Sequence, residues 1–158
     1  PWQHDEITIF GKKILQPRLT SLYGNDGKSY GYSNIVMHPH PFNSTLTFIK
    51  DEIENTIEEH FTTVLLNLYR NEKDSNGWHA DNEKELGRDP IIASLSLGED
   101  RVFQIKHNTN KDAKQSITLQ HGSLLVMKNG AQNHYKHQIP KASKPKNSRI
   151  NLTFRKII

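Results

Sequence analysis

The stretch Arg149-Ile150-Asn151-Leu152-Thr153-Phe154-Arg155 alternates polar and apolar residues without a break. Successive side chains of an extended strand point to opposite faces. Arg149, Asn151, Thr153 and Arg155 therefore share one face, and Ile150, Leu152 and Phe154 the other. Leu66-Asn67-Leu68-Tyr69 repeats the pattern, with Asn67 and Tyr69 on its polar side. For most strands such a polar face meets solvent. Two guanidiniums on one face, near the end of a barrel-like fold, also suit a small dicarboxylate, because each can pair with a carboxylate through two parallel hydrogen bonds.

Outward from this strand the period of two recurs. It predicts strands over Thr63–Arg70, Pro90–Leu97, Arg101–Lys106, Ser116–Leu119, Ser123–Lys128 and Arg149–Arg155. Gly98 to Asp100 and Lys111 to Lys114 read as links between them. Before the strands, Asn43-Ser44 caps a helix expected from about Thr45 to His60. Leu46, Ile49, Ile53 and Ile57 form its apolar stripe, opposite Lys50, Asp51, Glu54 and Glu58. The first thirty residues are turn-rich, notably at Gly24-Asn25-Asp26-Gly27, with extended pieces around Ile7–Phe10 and Tyr30–Ser33. One helix followed by many short strands predicts a mainly β fold with a flanking helix, an antiparallel sandwich or jelly roll.

The 158 residues suit one domain and include no cysteine, which excludes disulfides and thiolate metal sites. No apolar run approaches the ~20 residues of a membrane span, and no signal-peptide pattern opens the chain. The expectation is a soluble intracellular monomer, in the cytoplasm of a bacterium or the nucleus of a eukaryote. The net charge of +4 is unevenly spread: no acidic residue follows Asp112, so the last 46 residues carry +9 and the rest −5. Such asymmetry fits either a solvated basic tail or a polyanionic partner such as nucleic acid.

In Trp78-His79-Ala80-Asp81 the His-x-Asp spacing puts both side chains on one face of an extended chain, where they can chelate one metal. His4, His38, His40, His60 and His107 lie in turns, on the helix or at a strand end, and read as surface residues; His121 and His134 are ambiguous. A jelly roll would bring His137 back beside the first strands. His79, Asp81 and His137 would then form a facial triad that leaves three coordination positions open. The alternative is ordinary satisfied or exposed histidines.

The whole pattern resembles the AlkB family of iron(II)- and 2-oxoglutarate-dependent dioxygenases, closest to the members that repair DNA. The residues that carry the likeness are His79-x-Asp81, His137, Arg149-x-Asn151-Leu-Thr-Phe-Arg155, Asn67-Leu68-Tyr69-Arg70, Pro90 to Gly98, His121 to Met127, and the opening Ile9 to Gly24. The resemblance covers almost the whole chain and implies a double-stranded β-helix. It implies one dioxygenase domain over 1–158, with 1–42 as nucleotide-recognition lid and hairpins and 43–158 as helix plus jelly-roll core. It implies iron(II) on His79, Asp81 and His137. It implies 2-oxoglutarate held at its distal carboxylate by Arg149, Asn151 and Tyr69, and near its chelating end by Arg155 and Asn67. It implies that O2 oxidises 2-oxoglutarate to succinate and CO2 and hydroxylates an N-alkyl carbon, so that formaldehyde leaves a repaired base, with 1-methyladenine and 3-methylcytosine as model lesions.

The same resemblance implies substrate residues. Tyr30 and Tyr32 fall in the lid, with Tyr32 and His79 sandwiching an extruded base, and Glu83 reads its exocyclic nitrogen. Ordinary strand packing is the alternative for both tyrosines. Phe10 is either a wedge that refills the gap left by a flipped base or a core residue of an early strand, and Arg18 completes the set. Asn82 and Ala142-Ser143 depart from the duplex-repair pattern, and the chain starts late, without an N-terminal strand and helix that the family carries. Rival readings are an RNA, protein or small-molecule substrate, a hydrolytic zinc site, and a non-catalytic nucleic-acid-binding module.

Overall fold

The computed structural model describes residues 1–25, 27–32 and 35–158, without the side chain of Tyr32. Asp26 of the expected turn and Ser33 of the expected Tyr30–Ser33 strand lie outside the described residues.

Two antiparallel sheets face each other across the core. The first holds β3 (Leu19–Gly24), β6 (Thr63–Tyr69), β8 (Ile92–Gly98), β11 (Leu124–Met127) and β13 (Arg149–Arg155), in the order β11-β8-β13-β6-β3. The second holds β7 (Asn76–His79), β9 (Arg101–His107), β10 (Lys114–Leu119) and β12 (Tyr135–Ile139), in the order β10-β9-β12-β7. Strands consecutive in sequence repeatedly change sheet, which is the jelly-roll arrangement. Two hairpins flank β3 in sequence: β1 (Glu6–Ile9) with β2 (Lys12–Leu15) before it, and β4 (Tyr30–Tyr32) with β5 (Ile35–Met37) after it.

Helix α1 (Ser44–Ile57) starts where Asn43 Oδ1 accepts from Leu46 N at 2.8 Å. It ends three residues before the expected His60, because Glu58 turns left-handed (φ 58°) and closes the last turn onto the Glu54 carbonyl. Its stripe buries Leu46 and Ile53 against Val64, Ala93, Leu152 and Phe154, the apolar face of the five-stranded sheet. The even residues of β13 thus pack under the helix. Its odd residues face the interior between the sheets, where Asn151 stands opposite Asn67 and Ser96. The polar face is buried, not solvated.

β3, β7 and β12 lie outside the strands that the period of two predicts. β3 buries Thr20 and Ser21 at the sheet edge, so it shows no clean alternation. β7 contains Gly77, and its pairing with β12 shifts register between His137 and Ile139. Among the described residues no helix is long and apolar enough to cross a membrane.

Candidate metal and cosubstrate site

His79 ends β7 and pairs directly with His137 of β12, their ring centroids 4.2 Å apart. Asp81 lies two residues on. One ligand atom from each of His79, Asp81 and His137 falls within 4.8 Å of the others. His79 Nδ1 is 2.6 Å from the Gly77 carbonyl oxygen, which can only accept. The proton therefore sits on Nδ1, and the Nε2 lone pair, which accepts a long 3.5 Å contact from Asn76 Nδ2, is the one that can bind a metal. Phe103 stacks on the His137 ring at 5.4 Å.

Electrostatics keep this cluster in its ligating form. Burial, aided by His79 and Arg155, pushes the His137 imidazole down to about 3, and burial likewise lowers His79. Both rings are therefore neutral near pH 7. Burial alone would raise the Asp81 carboxyl. Arg155, with His79 and His137, outweighs that and holds it below the usual carboxylate range. Arg155 Nη2 donates to Asp81 Oδ2 at 2.9 Å. Asp81 is 1% exposed, and its Oδ1 has no hydrogen-bond partner among the described residues.

A cavity runs from this cluster along the polar face of β13. At its far end Arg149 is 2% exposed and donates from Nη2 to Ser96 Oγ at 2.8 Å. Its Nε and Nη1 find no partner among the described residues. Burial lowers the Arg149 pKa and Tyr69 opposes that, its ring 5.1 Å from the guanidinium carbon. Between the two ends, Asn151 Oδ1 accepts from Asn67 Nδ2 at 3.2 Å and from Thr153 Oγ1 at 2.6 Å, while Asn151 Nδ2 donates to Ser94 Oγ. A buried guanidinium with two unmet N–H groups at one end, and an unmet carboxylate oxygen beside two neutral imidazoles at the other, form a site for a bound cation with an anion next to it.

The expected substrate residues scatter. Tyr30 is buried, with Arg155 5.3 Å from its ring centroid. Near it is the half-buried Glu83, whose carboxyl is pushed up by burial and by the nearby Asp81. The side chain of Tyr32 lies outside the described residues. Phe10 is 102% exposed at the tip of the β1–β2 hairpin, where Phe10 and Gly11 both have positive φ (49° and 77°), the turn that a two-residue hairpin loop favours. That position excludes the core reading of Phe10. Arg18 is 3% exposed and donates from Nε to Asn67 Oδ1 at 3.0 Å and from Nη1 to the Ser75 carbonyl at 3.3 Å. It therefore lies behind the cavity rather than on an outer rim.

Sequence reasoning missed Ser94, Ser96, Arg101 and Gln132. The serines carried a signal, since they are the polar members of the alternating Ser94-Leu95-Ser96-Leu97. Arg101 carried none. It is buried on backbone carbonyls of Asn71, Asp74 and Pro140, with Tyr69 5.4 Å away.

Residues 1–155 match the sequence profile of the 2OG-Fe(II) oxygenase superfamily. The chain is 44% identical over 171 residues to alpha-ketoglutarate-dependent dioxygenase alkB homolog 3 of Bos taurus, covering 99% of this chain and 57% of that protein. It is 35% identical over 159 residues to DNA oxidative demethylase ALKBH2 of Homo sapiens, covering 96% of this chain and 61% of that protein. The chain thus spans well under two thirds of the length of these relatives. The solved structure of OsALKBH1 superposes with a TM-score of 0.66 at 17% identity, covering 89% of this chain and 78% of that one, a likeness of fold. Iron(II) and 2-oxoglutarate, the metal and cosubstrate of the matched superfamily, fit the donor set described above, two imidazoles and a carboxylate beside a buried arginine. The match runs through both sheets and both hairpins rather than one motif, and on that ground the chain belongs to the AlkB family of the 2OG-Fe(II) oxygenases.

Proposed function

We propose that this chain carries the catalytic domain of a dioxygenase that removes alkyl groups from N-alkylated nucleic-acid bases, using O2 and 2-oxoglutarate. The observation that carries the reading is the pairing of two unmet polar groups, Asp81 Oδ1 and the Arg149 guanidinium, at opposite ends of one cavity. Bound there, iron(II) and 2-oxoglutarate would supply the oxidising power that hydroxylates the N-alkyl carbon, and formaldehyde would leave with the repaired base.

The chain's own residues bind and orient. His79, Asp81 and His137 offer three ligands on one side and leave the other side open. Arg149, with Tyr69 and Asn151, receives the distal carboxylate of the cosubstrate, and Arg155 and Asn67 serve its other end. Arg155 already holds Asp81, so one guanidinium positions both a metal ligand and the cosubstrate. Residues 1–42 form the nucleotide-recognition lid and hairpins, and residues 43–158, the helix and jelly-roll core, carry the chemistry.

Lesions that place a positive charge on a ring nitrogen, such as 1-methyladenine and 3-methylcytosine, suit this site best. They pair poorly and are cheaper to extrude, and their charge would keep the half-buried Glu83 ionised. Phe10, fully exposed on its turn beside Lys12 and Lys13, would enter a duplex where a base has left it.

The outer face of the four-stranded sheet supports a polyanionic substrate. Lys114, Lys106 and Lys136 stand directly opposite one another on three adjacent strands. Like charges in that register destabilise a sheet, and a phosphate backbone would relieve the repulsion. Trp78 lies alongside, its ring 4.1 Å from Lys106 Nζ and 5.8 Å from Lys114 Nζ, a stacking surface bounded by cations. The relatives include both a dioxygenase named without a substrate and one named for DNA, so DNA is the first substrate to test. Formaldehyde release across methylated single- and double-stranded DNA and RNA tests the reading. Release from at least one DNA oligonucleotide is expected; release from RNA alone would move the substrate, and release from none would refute the activity.

A further inference from the structure

Asp81 lies beyond the end of the sheet that fixes the other two candidate ligands. β12 and β7 pair His137 with His79, and continuing that antiparallel register by two residues would set Tyr135 opposite Asp81. Tyr135 pairs with His107 of β9 on the other side of its strand, but no pairing of Tyr135 with Asp81 continues the β7 side. The ladder therefore ends at His79, and the extended backbone that a His-x-Asp chelate needs is not held by strand pairing at Asp81.

A side chain takes the place of the missing ladder bond. Gln132 Oε1 accepts from the Asp81 backbone N–H at 2.7 Å. Gln132 is 2% exposed, and its Nε2 contacts Met127 Sδ at 3.5 Å, on the last residue of β11 in the opposite sheet. The short helix α2 (Ala131–His134) that carries Gln132 is itself tied down. Gly130 N donates to Asp89 Oδ1 at 2.9 Å, and Asn133 Nδ2 donates to the Arg88 carbonyl at 3.0 Å. Asn129 and Gly130, both at positive φ (55° and 85°), make the turn that lets α2 lead into β12.

We propose that Gln132 is a positioning residue for the metal site: its amide oxygen fixes the backbone of Asp81 and so aims the carboxylate oxygen that Arg155 leaves open. The inference rests on Asp81 being a metal ligand. Arg155 holds one oxygen of the carboxylate, and Gln132 holds the main chain from which that carboxylate hangs. With both restraints the unmet Oδ1 has one direction left, toward His79 and His137. Without Gln132 the segment after His79 rotates about bonds that no strand partner restrains. The metal then meets two well-placed imidazoles and a carboxylate that must be ordered on binding.

The test is metal affinity, not turnover. Manganese(II) binding is measured by calorimetry without O2 on wild type, Asp81→Ala, Gln132→Met and Gln132→Glu, with cobalt(II) absorption spectra as a report on ligand geometry. Methionine keeps the length of the side chain and removes the acceptor; glutamate keeps an acceptor oxygen at the same reach. Removing a residue that orients a ligand typically costs about 10–100-fold in metal affinity. Gln132→Met should show that loss and an altered cobalt spectrum, measured below its melting temperature, and Gln132→Glu should recover affinity toward wild type. Wild-type affinity and spectrum in Gln132→Met, with binding lost in Asp81→Ala, would overturn the positioning role and leave the ligand assignment standing. Equal losses in Gln132→Met and Gln132→Glu would also overturn it, because the acceptor would not be what matters. Binding unaffected in Asp81→Ala would overturn the ligand assignment and the proposal with it.

Discussion

Replacing Arg149 by Met should weaken 2-oxoglutarate binding severely while leaving the cosubstrate-free protein as stable as before, or more so. Arg149 donates to Ser96 and has two buried N–H groups without partners among the described residues. An unmet buried polar group costs about 1–3 kcal/mol, more where it is charged. A methionine fills most of the same space and strands no donor there, which offsets losing the hydrogen bond to Ser96 and the charge beside Tyr69. Binding is the opposite case. Hydrogen bonds to charged groups contribute about 1.5–3 kcal/mol each, so two of them to a carboxylate contribute about 3–6 kcal/mol. With tenfold in affinity for every ~1.4 kcal/mol, the dissociation constant for 2-oxoglutarate should rise by about 100- to 10,000-fold. Calorimetry of 2-oxoglutarate binding to manganese(II)-loaded protein measures the first effect, and thermal unfolding without cosubstrate measures the second. Unchanged affinity together with a melting temperature lowered by many degrees would show that Arg149 serves the fold, and the cosubstrate pocket would have to be sought elsewhere.

Phe10→Ala should leave the melting temperature unchanged, because the ring is fully exposed, and should lower demethylation of duplex while sparing single strands; equal loss on both would end the wedge role. Replacing Lys106, Lys114 and Lys136 by Gln should flatten the dependence of log K on log salt by about 0.7–0.9 for each phosphate no longer neutralised. An unchanged slope in oligonucleotide titrations would make the row mere surface. In the metal-free protein, His137 is held down to about 3 and His79 is also lowered. The unfolded chain takes up those protons first, so the stability that His137 contributes above about pH 6.5 is lost as pH falls toward 3, by up to about 1.4 kcal/mol per pH unit, and His79 acts in the same direction. Urea unfolding of wild type against His137→Gln between pH 7.5 and 4.5 checks this, and parallel curves would refute it.

The sequence reading reached furthest where backbone period and chemistry agree. The strand Arg149–Arg155 has the predicted bounds, and its alternation assigned every side chain to the face it occupies. What alternation leaves open is which face lies inside. A polar face is normally the solvated one, and here it lines the core cavity, because α1 covers the apolar side. β7 and β12 escaped notice since a glycine and a register shift break the period of two at the point where His79 and His137 must both turn inward. β3 escaped because its buried residues include Thr20 and Ser21, polar groups accepted at a sheet edge. Glu58 ended the helix early without a glycine to announce it. Arg18, Arg101 and Gln132 are buried polar residues whose partners lie far away in sequence. Arg18 and Gln132 reach 49 and 51 residues to theirs. Arg101 reaches main-chain carbonyls on two separate loops, around Asn71–Asp74 and at Pro140. No local pattern encodes such a bond, and only the folded chain reveals it.

In the proposed function this cavity couples 2-oxoglutarate oxidation to dealkylation of a base. The most direct test is to quantify succinate and formaldehyde together in one reaction with iron(II), O2 and a 3-methylcytosine DNA oligonucleotide, using wild type and Asp81→Ala. Wild type should release the two products in near-equal amounts, and Asp81→Ala should release neither. Succinate without formaldehyde on every alkylated oligonucleotide tried would contradict the nucleic-acid substrate, and undiminished release by Asp81→Ala would contradict the site itself.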